Sequence, residues 1–372
     1  MSTRVKEIVD LMETFAPSKE SMSWDNVGLQ VGSLNHRLKK VLVCLDVNEA
    51  VIDEAIEVGA NMIIAHHPLI FKAMAKISEE DVKGKIISKA IKNNISIYVS
   101  HTNIDIVDGG LNDYIVYKLG LSNTTILDIE DVEKLYKLAV FVPTSYTEVL
   151  AEAMAAAGGG HIGNYSHCSF RTSGIGTFKP LEGSQPFIGN KGQLERVEEV
   201  KLEAIVREKD LTVVLNEILR SHPYEEVAYD IYPLHNEGRL NGAGRIATLE
   251  NSMLLSLFVE GIKASLNLDK VKVAGDVNSN IVKVAVVNGS GGDYIKAAIK
   301  AKCDCLITGD IKFHDAQMAL DHGLNIIDIG HYESEIPFIE MVTEYLQNTL
   351  VHKKIQVVVI PSQVYSNPFQ IL

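Results

Sequence analysis

Short apolar runs alternate with amphipathic stretches at both ends of this chain, and that alternation limits the fold more than any other feature. Near the start, Val5–Phe15 has a helical period. Residues 40–47 (KVLVCLDV) have the length and content of a buried strand. Residues 49–59 (EAVIDEAIEVG) form an amphipathic helix with Gly59 as its C-cap. Residues 61–65 are the next strand and lead into His66-His67-Pro68. A further helix is expected over 83–93, then a strand over 95–100 that ends at His101. Apolar strands separated by helices make parallel or mixed sheets with helices on their faces.

The last third repeats this order. Strands are expected over 282–287, 303–308 and 326–329, with helices over 293–302 and 335–349. An offset of 243 residues sets Lys40 against Lys283 and His67 against Asp310 without a gap. A separate offset of 230 sets His101 against His331, and an acid follows four residues later in each copy, Asp105 and Glu335. The pattern predicts a duplicated α/β unit. The middle of the chain reads differently, as β-α-β-β-α-β, the ferredoxin-like order. The expected architecture is an α/β core in two segments, 1–129 and 236–372, interrupted by a ferredoxin-like α+β domain over 130–235.

Composition removes several classes of function. The 372 residues carry 35 Lys+Arg against 48 Asp+Glu, a net charge of −13. Binding nucleic acid through its backbone needs a basic surface, so that partner is disfavoured, although a basic inner lining would not show in the total. Four Cys make no disulfide framework and suit a reducing compartment. No apolar run approaches the roughly 18–20 residues of a membrane span. The first fifteen residues read as an amphipathic helix bearing acids, not a signal peptide. A cytoplasmic protein with no membrane partner is expected. Twelve His remain, and His is the commonest neutral metal ligand.

The polar residues of interest fall where α/β sheets bind ligands, at the carboxyl ends of strands. His66 and His67 follow one strand, His101 and Asp105 another, His331 and Glu335 a third. Imidazole and carboxylate without thiolate suit Zn²⁺, Mn²⁺, Fe²⁺ or Co²⁺. Five or six such groups exceed the needs of one catalytic zinc. They match two metals about 3.5–4 Å apart bridged by a carboxylate. The bland alternative is a hydrogen-bonded polar rim.

Other signals are weaker. Gly158–Gly163 fits GxGxxG but follows a helix rather than a strand, so a close-packed turn is expected instead of a dinucleotide site. Cys303 and Cys305 are expected on one face of a strand as buried structural thiols. The run Gly289-Ser290-Gly291-Gly292 is either an anion-binding turn or a plain βα turn. Asp310 and His314 are possible members of the same rim.

Five motifs carry a resemblance. They are Trp24-Asp25-Asn26-Val27-Gly28-Leu29, His66-His67-Pro68-Leu69-Ile70-Phe71, His101-Thr102-Asn103-Ile104-Asp105, Gly309-Asp310, and Gly330-His331-Tyr332-Glu333-Ser334-Glu335. Together they resemble the Nif-three-like family, whose bacterial members are called GTP cyclohydrolase I type 2 homologues. The middle segment, with Ser221-His222-Pro223-Tyr224-Glu225, resembles the PII-like or CutA-like insertion of longer members. The resemblance implies a dinuclear centre, with Zn the first choice of metal and Mn, Fe or Co the others. It implies His66, His67, Asp105, His331 and Glu335 as ligands, with Asp105 or Glu335 bridging and His101 nearby as acid/base. It also implies a toroidal homohexamer, a trimer of dimers capped by the insertions. The leading expectation is a metal-dependent hydrolase acting on a nucleotide or another phosphorylated small molecule. Its rivals are a regulatory hexamer whose PII-like cap binds a small effector without turnover, and a ring that encircles nucleic acid.

Overall fold

The computed structural model describes residues 3–370. The chain divides into two compact units. One comprises the residues up to Glu130 together with those from Asn241 onward, and the other is Asp131–Leu240.

The first unit holds two sheets. In one, the strand order is Gly28–Val31, Ser96–Val99, Met62–Ala65, Lys40–Cys44, Val358–Pro361. The last four are mutually parallel, and Gly28–Val31 is an antiparallel edge. In the other, the order is Lys272–Ala274, Asn325–Asp328, Cys305–Gly309, Asn280–Ser290, Leu240–Leu254, Thr125–Val132. Its central three strands are parallel and Lys272–Ala274 is again an antiparallel edge. The unit is therefore a mixed α/β fold.

The duplication survives in the hydrogen-bond register. Val41 pairs with Met62 and Val284 with Cys305, both members displaced by 243 residues. The third strand differs. Met62 pairs with Ser96 and Cys305 with Asn325, a displacement of 229 on that strand, so the expected offset of 230 is one residue too long there. His101 thus corresponds to Gly330, not to His331. Gly330, at φ +94°, is the N-cap of helix His331–Glu335, the place that His101 takes before helix Thr102–Ile106.

Alternation along the strands sends side chains to two faces. Val41, Val43, Ile64 and Tyr98 of one sheet and Val284, Val286, Ile307 and Ile327 of the other enter a shared central core. The buried stripe Val5, Ile8, Leu11 and Met12 of helix Val5–Phe15 fills the same space, as does helix Pro337–Lys353. The outer face of the first sheet, with Leu42, Ile63 and Ile97, is covered by helices Glu49–Val58 and Val82–Lys92. Ala285, Leu306 and Ile326 on the outer face of the second pack under helices Ile295–Lys300 and Phe313–Asp321.

Several expected details shift. The single helix expected over 335–349 is two, His331–Glu335 and Pro337–Lys353, because Pro337 starts a new helix at its first turn. Cys303 and Cys305 do not share a face. Cys305 enters the central core and Cys303, just before the strand, packs in the outer cluster. Burial pushes the Cys303 thiol up to about 11 and Cys305 higher still, which suits inert structural thiols.

The second unit is a four-stranded antiparallel sheet in the order Ser169–Phe178, Glu195–Arg207, Leu135–Pro143, Tyr229–Pro233. Helices Thr147–Ala156 and Glu208–Ser221 bury Leu150, Met154, Val214 and Ile218 against Leu138, Val140 and Leu202. Gly158 and Gly160 have positive φ after the first of these helices, where Gly159 N–H donates to Met154 O, so the glycine run is a helix-ending turn.

Candidate metal centre

His66 and His67 leave the carboxyl end of strand Met62–Ala65. His101 caps, and Asp105 lies within, the short helix Thr102–Ile106 that follows strand Ser96–Val99. His331 and Glu335 open and close helix His331–Glu335, after strand Asn325–Asp328. The parallel strands aim all of these ends into one region.

The ring nitrogens and carboxylate oxygens converge. One ligand atom each from His66, His67 and His101 lies within 4.8 Å of the others, and the same holds for His67, His331 and Glu335. Glu335 Oε1 is 3.6 Å from His66 Nε2, while its Oε2 is 2.8 Å from His67 Nε2 and 3.0 Å from His331 Nε2. Asp105 Oδ1 stands 3.8 Å from His66 Nε2. His66 is fully buried and Glu335 only 3% exposed.

Each imidazole is held from behind. His66 Nδ1 lies 3.0 Å from the Ser100 carbonyl, His67 Nδ1 2.8 Å from Asp46, His101 Nδ1 3.0 Å from Asp25 and His331 Nδ1 2.8 Å from Asp310. A carbonyl or carboxylate oxygen only accepts, so Nδ1 carries a proton and Nε2 is the nitrogen that faces the cluster, open to a second proton or to a metal ion. Metal-binding His is oriented in the same way, by a carboxylate or carbonyl on the far nitrogen. The acids are braced too. Asn288 Nδ2 donates to Asp105 Oδ1 at 2.9 Å, and Ser366 Oγ to Asp46 Oδ2 at 3.0 Å. Thr102 donates to Asp25 through both its N–H and its hydroxyl.

Within the cluster, two buried atoms have no hydrogen-bond partner, His66 Nε2 and Glu335 Oε2. Oε2 lies within hydrogen-bond distance of two imidazole nitrogens, yet forms a hydrogen bond with neither. Groups that meet at this spacing without donating to one another fit a shared cation, because a buried unsatisfied polar atom costs about 1–3 kcal/mol. The electrostatics agree. Burial pushes Glu335 up, but the imidazoles around it hold the carboxyl well below its usual range. Burial pushes His67 down, and Asp46 with Glu335 reverses this to hold it up at about 10. Glu335, against some opposing burial, holds His331 up at about 9, with Asp310 adding to it. Burial raises Asp105. Asp25, despite its burial, is held at about 2 by His101 and Thr102. The cluster draws positive charge inward.

All five expected ligands and His101 are thus brought to one place. His314 is not, and pairs with Gln317 on its own helix. Asp310 is beside His331 but behind it. The glycine turn is neither alternative in full. Gly289 N–H donates to Ser334 Oγ, and a Cβ at Gly289 would overlap the Glu335 carboxylate, so glycine lets the backbone approach the cluster. Sequence reasoning missed Asp25, Asp46, Asn288 and Ser366. Asp46 ends a strand run and Asp25 sits within a quoted motif, so the strand-end rule could have found the first.

A two-sheet, duplicated α/β unit with a buried imidazole–carboxylate cluster at its strand ends defines a class of candidate metal-site proteins. The chain matches the description Duf34/NIF3 (NGG1p interacting factor 3) over residues 3–368, and it belongs to that family. It is 45% identical over 362 residues to the GTP cyclohydrolase 1 type 2 homolog of Halalkalibacterium halodurans, covering 97% of each chain. It is 44% identical to that of Bacillus subtilis, covering 100% of this chain and 99% of the other. Among solved structures, a Bacillus cereus protein related to NIF3 superposes with a TM-score of 0.93 at 43% identity, over 100% of both chains. A Staphylococcus aureus protein superposes at 0.80 and 31% identity, over 100% of this chain and 99% of the other.

Proposed function

We propose that the protein is a dinuclear metal-dependent hydrolase acting on a nucleotide or another phosphorylated small molecule. One observation carries the reading. Four imidazoles are held through Nδ1 by outward acceptors, beside a buried carboxylate whose oxygens face different imidazoles. His66, His67, Asp105, His331 and Glu335 would hold the ions. Glu335 is the better bridge, since Oε1 faces His66 while Oε2 faces His67 and His331. Zn²⁺ is the first choice for this donor set, with Mn²⁺, Fe²⁺ and Co²⁺ behind it. Bound ions would supply Lewis acidity and a lowered pKa for water.

The chain's own residues do the rest. Asp25 stays ionised and fixes the His101 proton on Nδ1, so the other nitrogen is free to take or give a proton beside the cluster. Asp46 and Asp310 fix His67 and His331 in the same way. The relatives' name supports a purine nucleotide as the substrate class. Residues 131–240 are read as a PII-like insertion, supported by their β-α-β-β-α-β order and antiparallel sheet. A cytoplasmic homohexamer is the proposed working form, on the strength of the family resemblance. No helix among the described residues is long and apolar enough to cross a membrane.

The test combines elemental analysis with a nucleotide turnover screen on metal-reconstituted protein. Two ions per chain and turnover lost in His66→Ala are expected. Fewer than one ion per chain after reconstitution contradicts the dinuclear reading, and unchanged turnover in the variant contradicts the hydrolase.

A further inference from the structure

Resting on the reading of the cluster as a reaction site, we propose that Trp24 and Phe71 form a stacking platform for a planar heteroaromatic ring of the substrate. Trp24 is the chain's one tryptophan. It is 60% exposed, and Phe71 beside it is 40% exposed. Single exposed aromatics are ordinary, but two of them side by side on a fixed surface next to a polar cluster make a candidate binding patch.

The exposure does not come from a loose loop. Ile70 N–H donates to Gln30 Oε1 at 2.8 Å, the Asn26 side-chain amide donates to Ile70 O, and Gln30 Nε2 donates to Asn26 O at 2.7 Å. The segment bearing Trp24 and the segment bearing Phe71 are therefore tied together. Next to Trp24, Asp25 is gripped by His101 and by two donors of Thr102. The aromatic pair is built into the same frame as the cluster.

Position supplies the second argument. The indole is 6.2 Å from the His101 ring at an interplanar angle of 76°, and 6.0 Å from the Phe71 ring at 60°. Neither contact is a parallel stack, so neither ring covers the exposed indole surface. A ring lying on Trp24 would adjoin His101, with a phosphorylated part free to extend over the cluster. Stacking is tolerant of which base is bound, because every base has a π-face. The platform selects for an aromatic ring without selecting its identity.

Because Trp24 is the sole indole, its emission reports the platform directly. The metal-loaded full chain is titrated with adenosine and guanosine monophosphates, excited where purines do not absorb. Both nucleotides should quench the emission saturably, and ribose 5-phosphate should leave it unchanged. Phe71→Leu keeps the signal and should weaken nucleotide binding about tenfold; Trp24→Leu, followed by equilibrium dialysis, should weaken it at least as much. Equal quenching by ribose 5-phosphate would overturn the ring contact. So would an indole shielded from acrylamide and insensitive to nucleotides, the sign of a surface covered by another copy of the chain. Saturable quenching without turnover would leave the platform standing and remove the hydrolase. Turnover of a phosphorylated compound that lacks a ring, with emission unmoved by nucleotides, would do the reverse.

Discussion

The two copies of the α/β unit share a register but divide the work unequally. The first copy sends His66, His67, His101 and Asp105 into the cluster from two strand ends. The second sends only His331 and Glu335, from one. Where the first has His67, the second has Asp310, which stands behind His331 and orients it. Where the first has Asp46 behind His67, the same offset gives Gly289, whose missing side chain makes room for Glu335. One scaffold position faces the cluster in one copy and supports it from behind in the other. The duplicated backbone supplies strand ends, and the residue placed there decides the job.

The sharpest way to break this comparison is Glu335→Gln, which removes the one carboxylate among the described residues that touches imidazoles of both copies. Metal content should fall from two to below one per chain, and turnover by more than about 100-fold. Elemental analysis and a rate measurement check this, and retention of both ions would end the bridging role.

The next effect compares support with support. Asp46→Asn and Asp310→Asn should each cost roughly 10–100-fold in metal affinity, and by similar factors, because each acid fixes one imidazole. Competition against a chelator measures both. A loss confined to one variant would show that the copies are not equivalent behind the ligands.

The third concerns pH in metal-stripped protein. His67 and His331 have folded pKa values of about 10 and about 9, above the ordinary 6.5. Their contribution to stability is complete below about 6.5 and is lost as pH rises through 9 and 10. Thermal unfolding of the stripped chain should therefore show a falling Tm across that alkaline window. Reloaded with metal, which takes the protons' place, the chain should show a flatter profile.

The smallest effect tests the copies away from the site. Gly59, at φ +71°, ends helix Glu49–Val58, and the same offset leads to Lys302, at φ +57°. Gly59→Ala should destabilise by about 1 kcal/mol, and Lys302→Gly should stabilise by roughly 0.5–1 kcal/mol, since only the lysine is strained there. Urea midpoints of the two variants should move in opposite directions.

The local half of this structure was legible in the sequence. Helix Val5–Phe15 follows from its apolar spacing, Gly59 from its place after a periodic run, and the strand ends from where apolar runs meet histidines. The offset of 243 held at the level of paired residues because strand, helix and strand have equal lengths in both copies. The slip at Gly330 was not visible, since the spacing from histidine to acid is four in either alignment. Supporting acids were harder. Asp25 and Asp46 act on rings 76 and 21 residues away, at separations fixed by sheet pairing and not by any motif. Ser366 lies further still from Asp46, in a tail with no periodic signal. The family resemblance found the clustered residues because they lie in motifs; of their supports, Asp25 and Asp310 lie in motifs too, but Asp46, Asn288 and Ser366 do not.

The pairing of Val358–Pro361 with Lys40–Cys44 has a consequence for how the chain is made. The first sheet cannot be completed until Val358–Pro361, far along the chain from Lys40–Cys44, has been synthesised. Asp131–Leu240, by contrast, is continuous in sequence and can close as soon as it emerges. The interrupting unit can therefore finish first. The sheet begun before it waits for its final strand, and Asp46 waits for Ser366 only a few residues beyond.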